Sequence, residues 1–362
     1  MLAKDKARCQ RQRLSTHIQE GLRTYSCGIH SCTVNYYLGD EKLKKIVATV
    51  IMGSSLLTTS IALAAPDDIK LTGETSVKYV REKQDNNSSQ SGMVYTFKLM
   101  VEAPLTDKLS AYTRIGGQIT RENQVGADFN SEFYPDKKSV IELDQYGLIF
   151  KNDKQTYKIG RQDATVGATA LLYSRSDSNI GKKNFVDGIS MSGTVGSTDI
   201  SALFAREDNV TDDNNRVYAI RAGYKPSENW NVGVTLGRFQ NSDAAGTDTN
   251  HWALDGTYKF GKSSLTAEYT QSNISNDNKA VALVWNYDAD NKTTFSVTGF
   301  RVEANGDMGG QSDFGSNNRG IHYSVKHLLA DNTAVEFVYK DEKSISDRIK
   351  ASQYEATLSY TF

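Results

Sequence analysis

Cysteine is absent after residue 32: the chain has three, Cys9, Cys27 and Cys32. The remainder therefore has neither a disulfide framework nor a thiolate metal site. Proline is scarce, 4 residues in 362, beside 28 Gly and 19 Tyr, a balance that favours strands and turns over helices. Neither sign of charge dominates, with 42 basic and 43 acidic residues, which excludes the basic footprint of a nucleic-acid binder. After residue 65 no apolar run approaches the ~18 residues a membrane helix needs. No metal-ligand cluster or phosphate-cradling loop is apparent, so no cofactor is expected; loop 310–318, "GQSDFGSNN", has only the weak calcium potential of any acidic loop.

What is there begins with an address. Residues 42–65 read "KLKKIVATVIMGSSLLTTSIALAA": a basic start at Lys42, Lys44 and Lys45, an apolar stretch, then the small-x-small pattern Ala62-Leu63-Ala64. This is the layout of a secretory signal peptide, expected to span 43–64 and to be cleaved after Ala64, with Ala65 as the next choice. Its Ser and Thr content and the following Pro66-Asp67-Asp68 argue against a membrane anchor. Residues 1–42 then read as a non-native extension from a misplaced start codon. A native peptide from residues 1–30 would refute that. Residues 1–64 hold 9 of the basic and 4 of the acidic residues, leaving 33 and 39 in the mature chain, a net of −6.

The mature chain, 65–362, alternates with period two. In 69–80 Ile69, Leu71, Gly73, Thr75, Val77 and Tyr79 share one face and Lys70, Thr72, Glu74, Ser76 and Lys78 the other. The same pattern recurs in sixteen segments: 69–80, 93–103, 108–120, 140–151, 155–162, 186–194, 198–206, 215–225, 229–240, 250–260, 263–272, 279–288, 292–303, 318–328, 332–342 and 351–362. Alternation slips within 140–151 and is weak in 186–194 and 292–303. The gaps alternate in length: short ones such as "LTDK", "NDK", "GS" and "GK", and long ones at 81–92, 121–139, 163–185, 241–249, 304–317 and 343–350.

Short turns at one end of a hairpin array and long loops at the other form the pattern of an outer-membrane β-barrel. Lipid cannot satisfy backbone N–H and C=O groups, so a membrane sheet must close on itself. One face of each strand meets lipid and the other a wet lumen, which reconciles a membrane protein with a composition only 38% hydrophobic. A secreted β-sandwich would show similar alternation. Aromatic residues at strand ends (Tyr79, Tyr95, Tyr224, Trp230, Trp252, Tyr287, Tyr339, Tyr360) favour membrane interfaces instead. The fold class expected is an all-β transmembrane antiparallel barrel of about 16 strands.

At 146–162 the chain reads "YGLIFKNDKQTYKIGRQ", with Gly147-Leu148 and Gly160-Arg161; "RSDSNI" (175–180) and "FVDGISMSG" (185–193) follow. These stretches resemble the general (trimeric) porins of Gram-negative bacteria. So does the C-terminus "YEATLSYTF", whose Leu358, Tyr360 and Phe362 match the terminal strand read by the barrel-assembly machinery. The resemblance spans 65–362 in layout and is specific over 146–193 and at the C-terminus. It implies a homotrimer in the outer-membrane lipid, reached by export, and a third loop folded into the lumen, where loop acids face wall bases. Mapped onto this chain, the candidate constriction residues are Arg161 on the wall, Asp163, Arg175 and Asp177 on the loop, and the lumen cations Lys70, Lys78, Lys98 and Arg114. Glu142 stands where many relatives carry a wall arginine. Strict alternation puts Arg161 on the lipid face with Tyr157 and Ile159, unless it lies at a rim or a bulge.

The function this implies is a passive channel for small hydrophilic solutes and ions, with no catalysis. A substrate-specific sugar or organic-acid channel would need an aromatic track, toward which only Tyr112 and Tyr173 stand. A structural or adhesive barrel with long loops is the further alternative. An enzyme would have to be built on His322, with Ser324 and Lys326 on its face and no evident acid to orient it.

Overall fold

The computed structural model describes residues 69–362 except 86, 123, 209–213, 244 and 245; the expected signal peptide (43–64) and extension (1–42) lie outside the described residues. Eighteen strands follow in chain order: β1 Lys70–Gln84, β2 Gln90–Thr106, β3 Leu109–Thr120, β4 Ser139–Lys151, β5 Gln155–Gln162, β6 Ala164–Val166, β7 Tyr173–Arg175, β8 Val186–Val195, β9 Thr198–Glu207, β10 Arg216–Ser227, β11 Trp230–Gln240, β12 Thr249–Phe260, β13 Ser263–Ser272, β14 Lys279–Asp288, β15 Thr293–Val302, β16 Asn318–Ala330, β17 Thr333–Ser344 and β18 Lys350–Thr361. Sixteen of them pair antiparallel into one closed barrel; β6 and β7 form a separate two-stranded sheet within the loop 163–185.

The barrel closes where β1 pairs β18, from Glu74 opposite Thr361 to Gln84 opposite Ala351. Phe362 completes the seam: its N–H donates to the Gly73 carbonyl at 3.0 Å, and its own carbonyl accepts from the Gly73 N–H at 2.8 Å. The Phe362 ring stacks on Phe97 and Tyr360, at centroid distances of 6.4 and 6.2 Å. It lies so close over Gly73 that a Cβ there would come within 2.4 Å of it.

Every expected strand is present. The β1 and β2 strands outrun their apolar segments, so the expected 81–92 loop shrinks to 85–89; backbone pairing continues above the apolar band, with Glu82 opposite Gln90. Two-residue hairpins join β8 to β9 and β12 to β13, and both use glycine at positive φ, Gly196 (63°) and Gly261 (55°), the geometry that matches strand twist. In the β14–β15 turn Asp290 Oδ1 accepts the Lys292 and Thr293 N–H groups, at 2.8 and 2.7 Å, which holds its carboxyl below the usual range.

Outward positions carry the exposed apolar side chains, such as Leu236, Leu254 and Leu283, on alternate residues. Aromatics stack along the outer face at both ends, with Trp230 on Tyr258 at 4.5 Å near the short turns and Tyr339 on Tyr354 at 4.6 Å toward the long loops. The inner face is not polar throughout. Toward the long loops, inward Val217, Ala219, Phe239, Ala253, Ala280 and Ala282 are buried against folded-in loops, which is why 279–288 reads as apolar on both faces.

Candidate functional site

Three long loops fold inward and pack on one another: β3–β4 (121–138), 163–185, and β15–β16 (303–317). The run Ala170-Leu171-Leu172-Tyr173 drives this. Leu171, Leu172 and Tyr173 are fully buried, Leu171 with Ala280, Ala282, Phe300 and Phe314, and Leu172 with Val217, Phe239, Ala253 and Met308. Burying each leucine contributes about 1.5–3 kcal/mol. The β15–β16 loop adds backbone pairing, with Met308 N–H to the Leu172 carbonyl at 2.8 Å and Asp313 N–H to the Ala170 carbonyl at 3.2 Å. On the other side Ile180 packs on Phe129, Tyr134 and Val140.

Polar groups on the wall, all but Glu142 buried, then fix the loop 163–185 at four points. Arg114 on β3, 2% exposed, clamps Asp144 with two bonds of 2.8 Å and reaches the loop through Asp177 Oδ1 (2.6 Å), the Asp177 carbonyl (2.9 Å) and the Asn179 carbonyl (2.8 Å). Asp144 faces inward because β4 bulges there: Arg114 pairs with Gln145 and Ile115 with Leu143, so Asp144 and Gln145 both point into the barrel. Glu142 accepts from Tyr134 Oη (2.7 Å) and the Lys182 N–H (2.9 Å). Burial, then this bond, push the Tyr134 phenol up, so it stays a neutral donor. Glu207 on β9 takes Tyr173 Oη at 2.8 Å and Arg175 Nη2 at 3.1 Å. Burial, then the Glu207 charge, raise the Tyr173 phenol well above its ordinary value. Glu268 on β13 takes both the N–H and Oγ1 of Thr169 at 2.7 Å, from across the lumen.

Open space remains between this packed mass and the β13–β18 wall, and a smaller cavity of about 270 Å³ lies below the loop's start against Ser190, Ser201 and Arg221. A cleft of about 540 Å³ is bordered by Thr169, Ser176 and Ser178 of the loop and by Asn286, His322 and Lys340 of the wall. A second, of about 450 Å³, meets it at Lys340 and runs along Glu82, Glu342 and Gln353. Lys340 of this wall pairs with Glu355 (2.9 Å), His322 Nε2 lies 2.7 Å from Glu342 Oε1, and on the neighbouring β1 Lys78 pairs with Asp128 of the β3–β4 loop (2.8 Å).

The candidate residues separate accordingly. Arg114, Asp177 and Glu142 come together at the loop's root, and Arg175 is buried at its middle, also over the Phe133 ring. Asp163 pairs with Lys158 at 2.8 Å. Lys78 faces the lumen, as does Lys98, whose Nζ is 4.0 Å from Glu74. Lys70 lies at the short-turn end opposite Glu102. Arg161 lies on the outward parity of β5 at the long-loop rim, where it pairs with Asp187 and Asp208 and stands over the outward Tyr146 ring. That rim position answers the parity conflict in the sequence. Tyr112 and Tyr173 are both buried, so neither lines the clefts. His322 does have an acid beside it, Glu342. Its ring packs on Phe300 and Phe314, and no hydrogen bond joins it to Ser324 among the described residues.

Asp144, Glu207, Glu268 and Lys340 were not singled out in the sequence. Glu268 and Lys340 sat on polar strand faces like many others, and only the slip in 140–151 marked Asp144.

The sequence profile of the S-layer protein SlpA β-barrel domain matches residues 83–356. The chain belongs to that family. No curated protein matches the chain. Among solved structures, the SlpA-family barrel is similar to a mutant of the Rh. blastica porin, with a TM-score of 0.54 at 11% identity over 81% of this chain and 100% of that one. A triple mutant of the Rhodopseudomonas blastica porin gives 0.53 at 10% identity, with the same coverages. At such identity the likeness establishes the fold, an outer-membrane-type barrel.

Proposed function

We propose that this SlpA-family barrel is an outer-membrane channel through which small hydrophilic solutes and ions diffuse. The observation that carries the reading is the polar cleft between the inward-folded loop and the wall at Asn286, His322 and Lys340. A barrel that served only as a scaffold could fill its lumen with apolar side chains; here one side is filled and the other is lined by hydroxyls, amides and paired charges. Paired wall charges beside polar loop groups make a passage that favours no single solute, and the burial of Tyr112 and Tyr173 leaves a sugar track without its aromatics. The chain is exported by its signal peptide, is inserted by the assembly machinery of a Gram-negative envelope through the Phe362 strand, and assembles as a homotrimer of the general-porin kind.

Single-channel recording of the refolded chain in a planar bilayer under a salt gradient tests this. Discrete steps are expected, grouped in threes for a trimer, with the reversal potential giving the sign preference. A folded barrel that stays silent would refute the channel. The structural reading, which the S-layer family match favours, would then take first place.

A further inference from the structure

The outer face carries a charge pattern that the channel does not use. At the long-loop end of four adjacent strands, Arg301 of β15 stands in register with Arg319 of β16, Arg319 with Lys343 of β17, and Lys343 with Lys350 of β18. All four occupy outward positions, in phase with Ile321, Tyr323, Phe337 and Tyr354. Directly opposed side chains on antiparallel strands lie about 4.5–5.5 Å apart at Cβ, and like charges so placed repel. The row spans three strand spacings, about 14 Å.

Among the described residues the acids nearby neutralise only its flank. Glu303 pairs with Arg301 at 3.2 Å. Asp341 stands beside the row, and Asp85 accepts the Lys350 backbone N–H at 3.3 Å. Arg319, Lys343 and Lys350 have no ion pair among the described residues. They line a shallow depression of about 350 Å³ with Ile321 and Asp341. A second like-charge pair, Arg206 opposite Arg216, stands at the same end of β9 and β10, but there Asp187 also faces Arg206.

What lies beneath the row identifies its occupant. Four residues toward the barrel's middle, about 13 Å along the strands, Tyr323, Tyr339 and Tyr354 form an in-register stack, with centroids 6.2 and 4.6 Å apart. Val297 of β15 continues the tyrosine row, and below it the outward residues in register are apolar: Phe295, Val325, Phe337 and Ala356. Apolar band, aromatic row, cation row is the profile of acyl chains, interface and headgroups. We propose that Arg319, Lys343 and Lys350, with Arg301 at the flank, bind the phosphates of anionic lipid headgroups in the leaflet around the long-loop end. This rests on the barrel lying in a membrane and not on its conducting.

The test is lipid selectivity at the barrel surface, read with spin-labelled phosphatidylglycerol against spin-labelled phosphatidylcholine around the full chain in phosphatidylcholine nanodiscs. The wild type is expected to hold the anionic lipid about fivefold more strongly for each engaged cation, a preference that fades as salt is raised. Arg319→Gln with Lys343→Gln and Lys350→Gln is expected to bring the ratio near one. With the repulsion removed, this variant should also unfold at a higher temperature than wild type in phosphatidylcholine. Equal association in the wild type, or a variant that keeps the preference, overturns the proposal. So does loss of the preference when inorganic phosphate is added at constant ionic strength, because the row would then be a site for soluble phosphate. Silent bilayers with the preference intact would refute the channel and leave this inference standing.

Discussion

Replacing Arg114 by methionine tests whether buried charge holds the constriction in place. The guanidinium makes five bonds, two to Asp144 and three to the loop at Asp177 and Asn179. Asp144 is fully buried, and its other partner, the Gly181 N–H, is 3.2 Å away. A methionine side chain would fill much of the stem volume but leave a buried carboxylate uncompensated, at a cost of about 3–5 kcal/mol. The barrel ladder involves none of these side-chain bonds, so the cost falls on the loop's docking. Since ~1.4 kcal/mol is tenfold in an equilibrium, hydrogen exchange at the Asn179 and Ile180 amides should accelerate on the order of a hundredfold or more, while β14 and β17 amides stay protected. Open-channel current noise should rise in parallel. Adding Asp144→Leu should restore much of the protection, because a buried pair replaced by apolar groups is often neutral. Unchanged exchange at 179–180 in the single variant would refute the clamp.

Glu268→Ala removes two charge-assisted bonds to Thr169, each worth about 1.5–3 kcal/mol; the 167–169 tip should detach and the conductance step enlarge, as recorded in planar bilayers. Gly73→Val would drive its Cβ into the Phe362 ring, and the fraction of chain refolding to the heat-modifiable barrel on gels should fall steeply. Asp307, 3% exposed, has Oδ1 buried without a hydrogen-bond partner, and burial raises its carboxyl to about 6. With the folded value above the usual 3.8, the acid form fits the fold better, so the β15–β16 loop is most secure below pH ~4 and loses about 3 kcal/mol as pH rises to ~6. Exchange at the Met308 and Ser312 amides, corrected for intrinsic pH dependence, should show that loss, and Asp307→Asn should abolish it.

The wall of this barrel was legible because lipid imposes a rule on every second residue, and sixteen segments kept it. The plug was not, because its rules are local and contingent. "ALLY" reads as an apolar accident in a loop until Ala280, Ala282 and Val217 are seen to leave room for it. Asp144 turns inward only because one extra residue enters β4, which period-two counting registers as noise. Glu207 and Glu268 look like any wetted wall carboxylate, since alternation reports the face of a side chain and not what stands before it. Arg161 shows the converse: its parity was read correctly from the sequence, and the rim acids Asp187 and Asp208 make that position tolerable.

The spacing of the anchors along the chain has a consequence for biogenesis. Besides Arg114 and Glu142, which precede it, the loop 163–185 is held by Glu207, by Glu268, 99 residues beyond Thr169, and by Met308 and Asp313. None of these later anchors exists as a surface until β9, β13 and the β15–β16 loop have been laid down. A partly formed sheet that lacks β9 to β15 leaves Leu171 and Leu172 with nothing to cover them. The aperture is therefore among the last parts of the molecule to take shape, set when the sheet is nearly complete, and an intermediate without β13 in place would be a wide, leaky trough exposing a greasy strap to whatever escorts it.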